Sequence, residues 1–196
     1  PPRSTPLYSS AASDVYKRQV QTAKKYDLYI LSDEIYDEYF SNDNYAADWC
    51  SVSIYGYEKS IVAKSFSKSC AMTGYRIGWI VADPSIIEKM SKLQALSLTN
   101  VSEPIQYVAL QALGADPDPS FTDIVNSRLE ALVKIAKDIG LEFIEPDGAM
   151  YLFARTKHKN FDATKFSEKL LEHGVAIAPG EGFGDYKEFF RITAID

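Results

Sequence analysis

Leu28 to Ser32 reads Leu-Tyr-Ile-Leu-Ser, a continuous apolar run, and the next residue is Asp33. A strand with one wet face alternates apolar and polar residues. A run without that alternation suits a strand covered on both faces, as in a parallel sheet flanked by helices. Ser60 to Ser65 (Ser-Ile-Val-Ala-Lys-Ser) is a second, shorter candidate. Asp33 and the Ser65–Lys68 group then fall just past the carboxyl ends of two strands, where open α/β sheets bind ligands. Arg76 to Ala82 (Arg-Ile-Gly-Trp-Ile-Val-Ala) reads as a third strand, entered through Gly74.

Downstream, helix and strand signals follow one another. Asp83-Pro84 starts a helix, with Asp83 as N-cap, Pro84 at the first helical position, and Ile86, Met90 and Leu93 at helical spacing. Ser102 and Pro104 open another, carrying Ile105, Val108 and Leu110, and Ala115-Asp116-Pro117-Asp118-Pro119 breaks it. A long amphipathic helix follows with Val125, Leu129, Leu132, Ala136 and Ile139, ended by Gly140. Leu141 to Ile144 and Met150 to Ala154 read as strands around the Pro146-Asp147-Gly148 turn. Asp162 caps a helix through Phe166, Leu170 and Leu171, closed by Gly174, and Val175 to Ala178 and Phe189 to Ala194 are the last strands. The expected organisation is a larger α/β domain over residues 20–117 and a smaller α+β domain over 118–196, with the boundary at the Pro/Asp breaker. Pro1 to Gln19 has no clear period and resembles translated adapter read-through; it is set aside as an artefactual or disordered segment.

Composition narrows the classes of function. The 196 residues are 46% hydrophobic and 24% charged, an ordinary globular balance with enough mass for one or two cores. A net charge of −6 argues against nucleic acid or an anionic membrane as the main partner. Cys50 and Cys70 are too few for a disulfide framework and are not spaced as a zinc site, so a reducing cytoplasm is the expected compartment. No apolar run reaches membrane-spanning length. Glu34, Asp37 and Glu38 crowd one stretch, but no His accompanies them, and they read as an exposed face rather than a metal site. His158 and His173 read as surface residues.

The strand ends collect an unusual set of side chains. Asp33 and Tyr36 are followed by Ser65-Phe66-Ser67-Lys68, and Arg76 comes eight positions after Lys68. Pyridoxal phosphate needs such a set: a Lys to condense with its aldehyde, an acid to pair with its pyridinium nitrogen, and cations and hydroxyls to hold its phosphate. Singly, each residue has an ordinary reading. Lys68 suits a solvated loop, Asp33 a turn, Ser65 a turn, Arg76 a surface, and Tyr36 a core like that expected for Tyr29 and Tyr39. The setting Gly-Tyr-Arg-Ile-Gly, however, puts Arg76 at the start of an apolar strand, a poor place for an idle charge.

In these motifs the chain resembles the class I/II aminotransferases, the aspartate-aminotransferase-like enzymes of fold type I. Their pattern is D-x-x-Y, then S-x-S-K, then an Arg eight further on, then a late Arg in an R-I-S-like strand. Here Lys68 follows Asp33 by 35 positions, and the late strand reads Phe189-Phe190-Arg191-Ile192-Thr193. Four elements in order over residues 20–196 are far more specific than a lone signature. The resemblance implies part of the large, mostly parallel-sheet domain plus the smaller C-terminal domain. It implies Lys68 as Schiff-base lysine and proton shuttle, Asp33 on the ring nitrogen, and Tyr36 on the ring oxygen. Ser65 and Arg76 are implied on the phosphate, with Ser67 a weaker candidate there, and Arg191 on the substrate carboxylate. Strand alternation puts Arg191 on the face of Phe189 and Thr193, with Phe190 and Ile192 on the other. Gly148, Met150 and Tyr151 resemble the strand that borders the substrate pocket.

The family's phosphate loop, ring-stacking aromatic and N-P-x-x-P-T-G asparagine precede these motifs, so the chain is expected to be the C-terminal half of a longer homodimeric enzyme. The expected activity is transfer of an amino group between an L-amino acid and a 2-oxo acid. A lyase or synthase of the same fold uses the same lysine, acid and phosphate grip. An aminotransferase-like effector domain of a transcription regulator would carry them behind a helix-turn-helix. These alternatives stay open on the sequence.

Overall fold

The computed structural model describes residues 7–40, 50–115 and 120–195. These fall into two compact units, one of residues 7–38 and 50–115, the other of residues 39–40 and 120–195. The breaker residues 116–119, where the sequence suggests a domain boundary, lie outside the described residues.

In the first unit, helix α1 (Leu7–Tyr26) leads to strand β1 (Ile30–Asp33), a 3-10 turn (Val52–Tyr55), strand β2 (Ser60–Ser65) and the one-turn helix α2 (Phe66–Ser69). A second 3-10 turn (Thr73–Tyr75), strand β3 (Gly78–Ala82) and helices α3 (Pro84–Ser97) and α4 (Glu103–Gly114) follow. The sheet order is β1-β2-β3, with β1 parallel and β3 antiparallel to β2. Asp83 caps α3 as expected, its carboxylate accepting from the Ser85 N–H at 2.9 Å.

Three expectations change here. Of the segment 1–19, residues 1–6 lie outside the described residues, but Leu7 to Gln19 are helical and continue into Val20 and Ala23. Those two are buried against Val52, Tyr57 and Val62, so packing on the sheet carries a helix whose weak periodicity does not announce it. β1 is covered on one face only: Ile30 packs on that cluster, while Leu31 is 71% exposed on the face it shares with Asp33. Tyr29 is also exposed, lying under the Lys59 ammonium, whereas Tyr39 is buried as expected.

The second unit holds α5 (Ser120–Asp138), β4 (Glu142–Phe143), β5 (Tyr151–Arg155), α6 (Ala163–Glu172), β6 (Ala178–Pro179) and β7 (Phe189–Thr193). Its antiparallel sheet runs β4-β5-β7-β6. Leu152, Ala154 and Phe190 from the sheet meet Val133 and Ala136 of α5 and Ala163 of α6 in one core. The 3.6-residue period of α5 and the two-residue period of β5 and β7 thus converge on a shared apolar layer. β6 is shorter than the expected Val175–Ala178. The Val175 N–H is taken by the Leu170 carbonyl at 3.0 Å, beyond Gly174 at φ 80°, so Val175 closes α6 instead of pairing in the sheet. Tyr39 and Phe40 join this unit through a bridge from Phe40 to Gly148. A Cβ at Gly148 would lie 2.1 Å from the Tyr39 carbonyl oxygen, which accounts for the glycine. Among the described residues, no helix is long and apolar enough to cross a membrane.

Candidate functional site

The parallel pairing sets Asp33 opposite Ala63, so β1 and β2 end side by side. At the end of β2, Ser65 has extended backbone and caps α2, its hydroxyl accepting from the Ser67 N–H at 3.0 Å and donating to the Ile77 carbonyl at 3.2 Å. Phe66, 4% exposed, is buried beside Met72 and Ala109 and anchors the short helix. Ala71, at φ 51°, ends it with its N–H on the Lys68 carbonyl. Lys68 is thereby held on a single turn fixed at both ends. Its ammonium nitrogen stands 5.6 Å from the centre of the Tyr36 ring, which lies in the turn just after Asp33.

Arg76 does not start the third strand, as the apolar run suggests. It occupies a left-handed corner at φ 54°, ψ 48° between the 3-10 turn and β3. A non-glycine residue there costs about 1 kcal/mol or more. The corner brings its exposed guanidinium back over the turn, where it donates to the Thr73 carbonyl at 2.9 Å. Thr73 in turn donates to the Ser67 carbonyl at 2.8 Å, tying the corner to α2. Gly78 lets β3 close on β2 opposite Ser65; a Cβ would sit 2.5 Å from the Lys64 carbonyl oxygen. The result is a cleft of about 340 Å³ lined by Ser65, Ser67, Arg76 and Gly78. Asp33, Tyr36, Ser65, Ser67, Lys68 and Arg76 therefore all belong to one end of one sheet.

Of the neighbouring acidic residues, Glu38 is exposed as the sequence suggests, but Glu34 and Asp37 are not. Glu34 is buried, and its Oε1 accepts from the Ser32 and Ser51 hydroxyls at 3.0 Å each and from the Val52 N–H at 3.1 Å. Its Oε2 lies 3.8 Å from the Lys64 ammonium, which also makes a close ion pair with Asp37. Glu38 is held above the usual carboxylate range, first by partial burial and then by Asp37, with Lys64 opposing. The Glu34–Lys64 pairing is not legible in the sequence, because it joins residues 30 positions apart.

Arg191 belongs to the second unit, on β7 opposite Phe153. Its guanidinium carbon lies 4.4 Å from the Tyr151 ring centre and 4.8 Å from that of Phe183, between two aromatic faces. Its Nε is buried without a hydrogen-bond partner among the described residues. An orphaned charged donor of this kind calls for an anionic acceptor. Phe153 packs against Phe183, Tyr186 and Phe189 behind it. Tyr151 was legible as a pocket-border candidate. Phe183 was not, although its setting Pro-Gly-Glu-Gly-Phe-Gly (179–184) marks an irregular approach to the strand.

The family described as aminotransferase class I and II matches residues 11–196. An aspartate aminotransferase of Thermotoga maritima is 35% identical over 175 residues, 86% of this chain and 45% of that protein. One from Pyrococcus horikoshii is 33% identical over 195 residues, 96% of this chain and 49% of its own length. An asparagine–oxo-acid transaminase of Streptococcus mutans is 34% identical over 83% of this chain and 44% of its own. Among solved structures, the Thermotoga maritima aspartate aminotransferase superposes with a TM-score of 0.82 at 32% identity, covering 92% of this chain and 46% of that one. The Pyrococcus horikoshii aromatic aminotransferase gives 0.84 at 30% identity, covering 93% and 50%. The chain spans about half the length of the curated relatives it matches. The fold is that of the fold type I aminotransferases, and the chain belongs to the aminotransferase class I and II family.

Proposed function

We propose that this chain carries part of the active site of a pyridoxal-phosphate-dependent aminotransferase, which moves an amino group between an L-amino acid and a 2-oxo acid. One observation carries the reading: an amine, a phenol, a carboxylate, two hydroxyls and a guanidinium share the carboxyl end of two adjacent parallel strands, with Lys68 poised 5.6 Å from the Tyr36 ring centre. The donor set fits the cofactor. Arg76 keeps guanidinium N–H groups beyond the one given to Thr73, and the cleft it shares with Ser65 and Ser67 suits a phosphate. Ser65 must release its 3.2 Å bond to Ile77 to donate there.

Bound pyridoxal phosphate supplies an electron sink for the substrate Cα. Asp33 would pair with its ring nitrogen and keep it protonated, and Tyr36 would donate to its ring oxygen. The Lys68 amine would take the proton from Cα and return it. Arg191 forks the substrate α-carboxylate, its plane fixed between Tyr151 and Phe183 so that little rotamer freedom is lost on binding. The lyase and regulator readings use the same residues. Support for the transaminase over them comes from the similar proteins reported above, which are named as aminotransferases or transaminases. A homodimeric, cytoplasmic parent enzyme belongs to the same proposal; the net charge of −6 and the two free cysteines are in keeping with it.

The test uses the full-length protein that contains this chain. With pyridoxal phosphate it should show visible cofactor absorbance, and borohydride should fix the cofactor on the peptide bearing Lys68. An L-amino acid should bleach that absorbance and yield its 2-oxo acid. Label on another lysine, or on none, would refute the assignment.

A further inference from the structure

Glu34, Lys64 and Asp37 form a built ionic bridge that the proposed chemistry does not use. The Glu34 side chain is 5% exposed, Lys64 23% and Asp37 17%. One ammonium on β2 reaches two carboxylates that bracket Tyr36 in sequence, and Asp33 immediately precedes the first of them. The Glu34 end is tied further by Ser32, Ser51 and the Val52 N–H, all through Oε1, leaving Oε2 to Lys64. Lys64 alternates with Ala63 and Ser65 along β2, and so lies on the sheet face opposite Asp33. Its ammonium is thus placed to hold the turn from behind, while the residue also lines the cleft shared by Ser65, Ser67 and Arg76.

Stability alone is a poor explanation for such a bridge. Taking charges out of water offsets most of the Coulomb gain, and apolar replacements are often neutral. What a bridge supplies that an apolar pair does not is a fixed geometry for the turn between its two anchors. We propose that Lys64 is a positioning residue: by clamping Glu34 and Asp37 it sets the Asp33–Tyr36 turn against Lys68. This rests on the cofactor reading for its consequence, but the clamp itself is testable without cofactor.

In the full-length protein without pyridoxal phosphate, Lys64→Met and Asp37→Asn should speed amide hydrogen exchange at residues 35–38 by about 10-fold or more, while amides of the β1–β2 ladder stay protected. Asp37→Asn leaves the buried Glu34–Lys64 pair in place, so it keeps the test decisive should Lys64→Met fail to fold. Unchanged exchange at 35–38 in a folded variant would overturn the clamp. With cofactor, Lys64→Met should weaken pyridoxal phosphate binding by roughly 10-fold, and Lys64→Arg should restore most of it. In a Tyr36→Phe background the further loss from Lys64→Met should shrink, because contacts acting through one group are not additive. Losses that multiply independently would mean that Lys64 does not act through the turn. A wild-type protein that binds no pyridoxal phosphate would defeat the functional reading and leave the exchange result to judge the clamp.

Discussion

Replacing Arg191 with Ala should separate substrate recognition from cofactor binding. The guanidinium is held between two rings at 4.4 and 4.8 Å, with a buried Nε lacking an acceptor among the described residues. If it receives the α-carboxylate, truncation strands a desolvated anion at a cost of roughly 2–5 kcal/mol, or about 30- to several-thousand-fold in kcat/KM. The loss should be similar for every amino-acid substrate, since all share that carboxylate, and should leave the dissociation constant for pyridoxal phosphate unchanged. Arg191→Lys should recover only part, because a point charge neither forks a carboxylate nor lies flat between two rings. Phe183→Leu removes one of the two faces while keeping bulk. At about 0.5–2 kcal/mol for a cation over a ring, it should cost roughly 2- to 30-fold in kcat/KM. The assay is steady-state kinetics of the full-length enzyme over several amino acids, with cofactor affinity measured in parallel. Cofactor loss in Arg191→Ala, or unchanged amino-acid kinetics, would refute the reasoning.

Arg76→Ala should behave in the opposite sense, raising the dissociation constant for pyridoxal phosphate roughly 10- to 150-fold by loss of a charged hydrogen-bond donor; a spectrophotometric titration reads it directly. Leu152→Ala should destabilise by about 2–5 kcal/mol, because Leu152 is 0% exposed in the core of the second unit, and a urea unfolding series checks this. Asp162 is held below its ordinary value near 3.8, first by the Lys165 N–H at the start of α6. A depressed carboxylate contributes stability that is fully present above its unfolded pKa and lost as pH falls through the folded one. Asp162→Asn keeps a capping oxygen but no titration, so the acid-side decline in the urea midpoint below about pH 4 should become shallower.

What could be read from the sequence tracks how local each cause is. Asp83 and Asp162 each cap a helix within two or three residues of themselves, and both starts were legible. The alternation of Phe190 and Ile192 against Arg191 is a property of a single strand, and Phe190 and Ile192 do face the core. The antiparallel direction of β3 was not legible, since an apolar run has no direction until it pairs. The apolar pattern extends that strand to Arg76, because the left-handed corner there depends on the Thr73–Ser67 tie and on the close approach at Gly78. Glu34 looked like surface because its partners Ser51, Val52 and Lys64 are distant in sequence. Helix α1 is not legible in the sequence, because its contacts with Val52, Tyr57 and Val62, rather than a strong period of its own, mark it as part of the fold.

The bridge from Phe40 to Gly148 also has a history in time. The two residues are separated by 148 − 40 = 108 positions, so Tyr39 and Phe40 leave the ribosome well before the turn that receives them. At about 5–20 residues per second, the wait is roughly 5–20 s, longer than many small domains need to fold. During it, the ring of Tyr39, 4% exposed in the finished fold, lacks the turn that receives its segment. The second unit is therefore not a stretch that can be completed from its own contiguous sequence. Its assembly waits on a piece made early, a few residues past Tyr36.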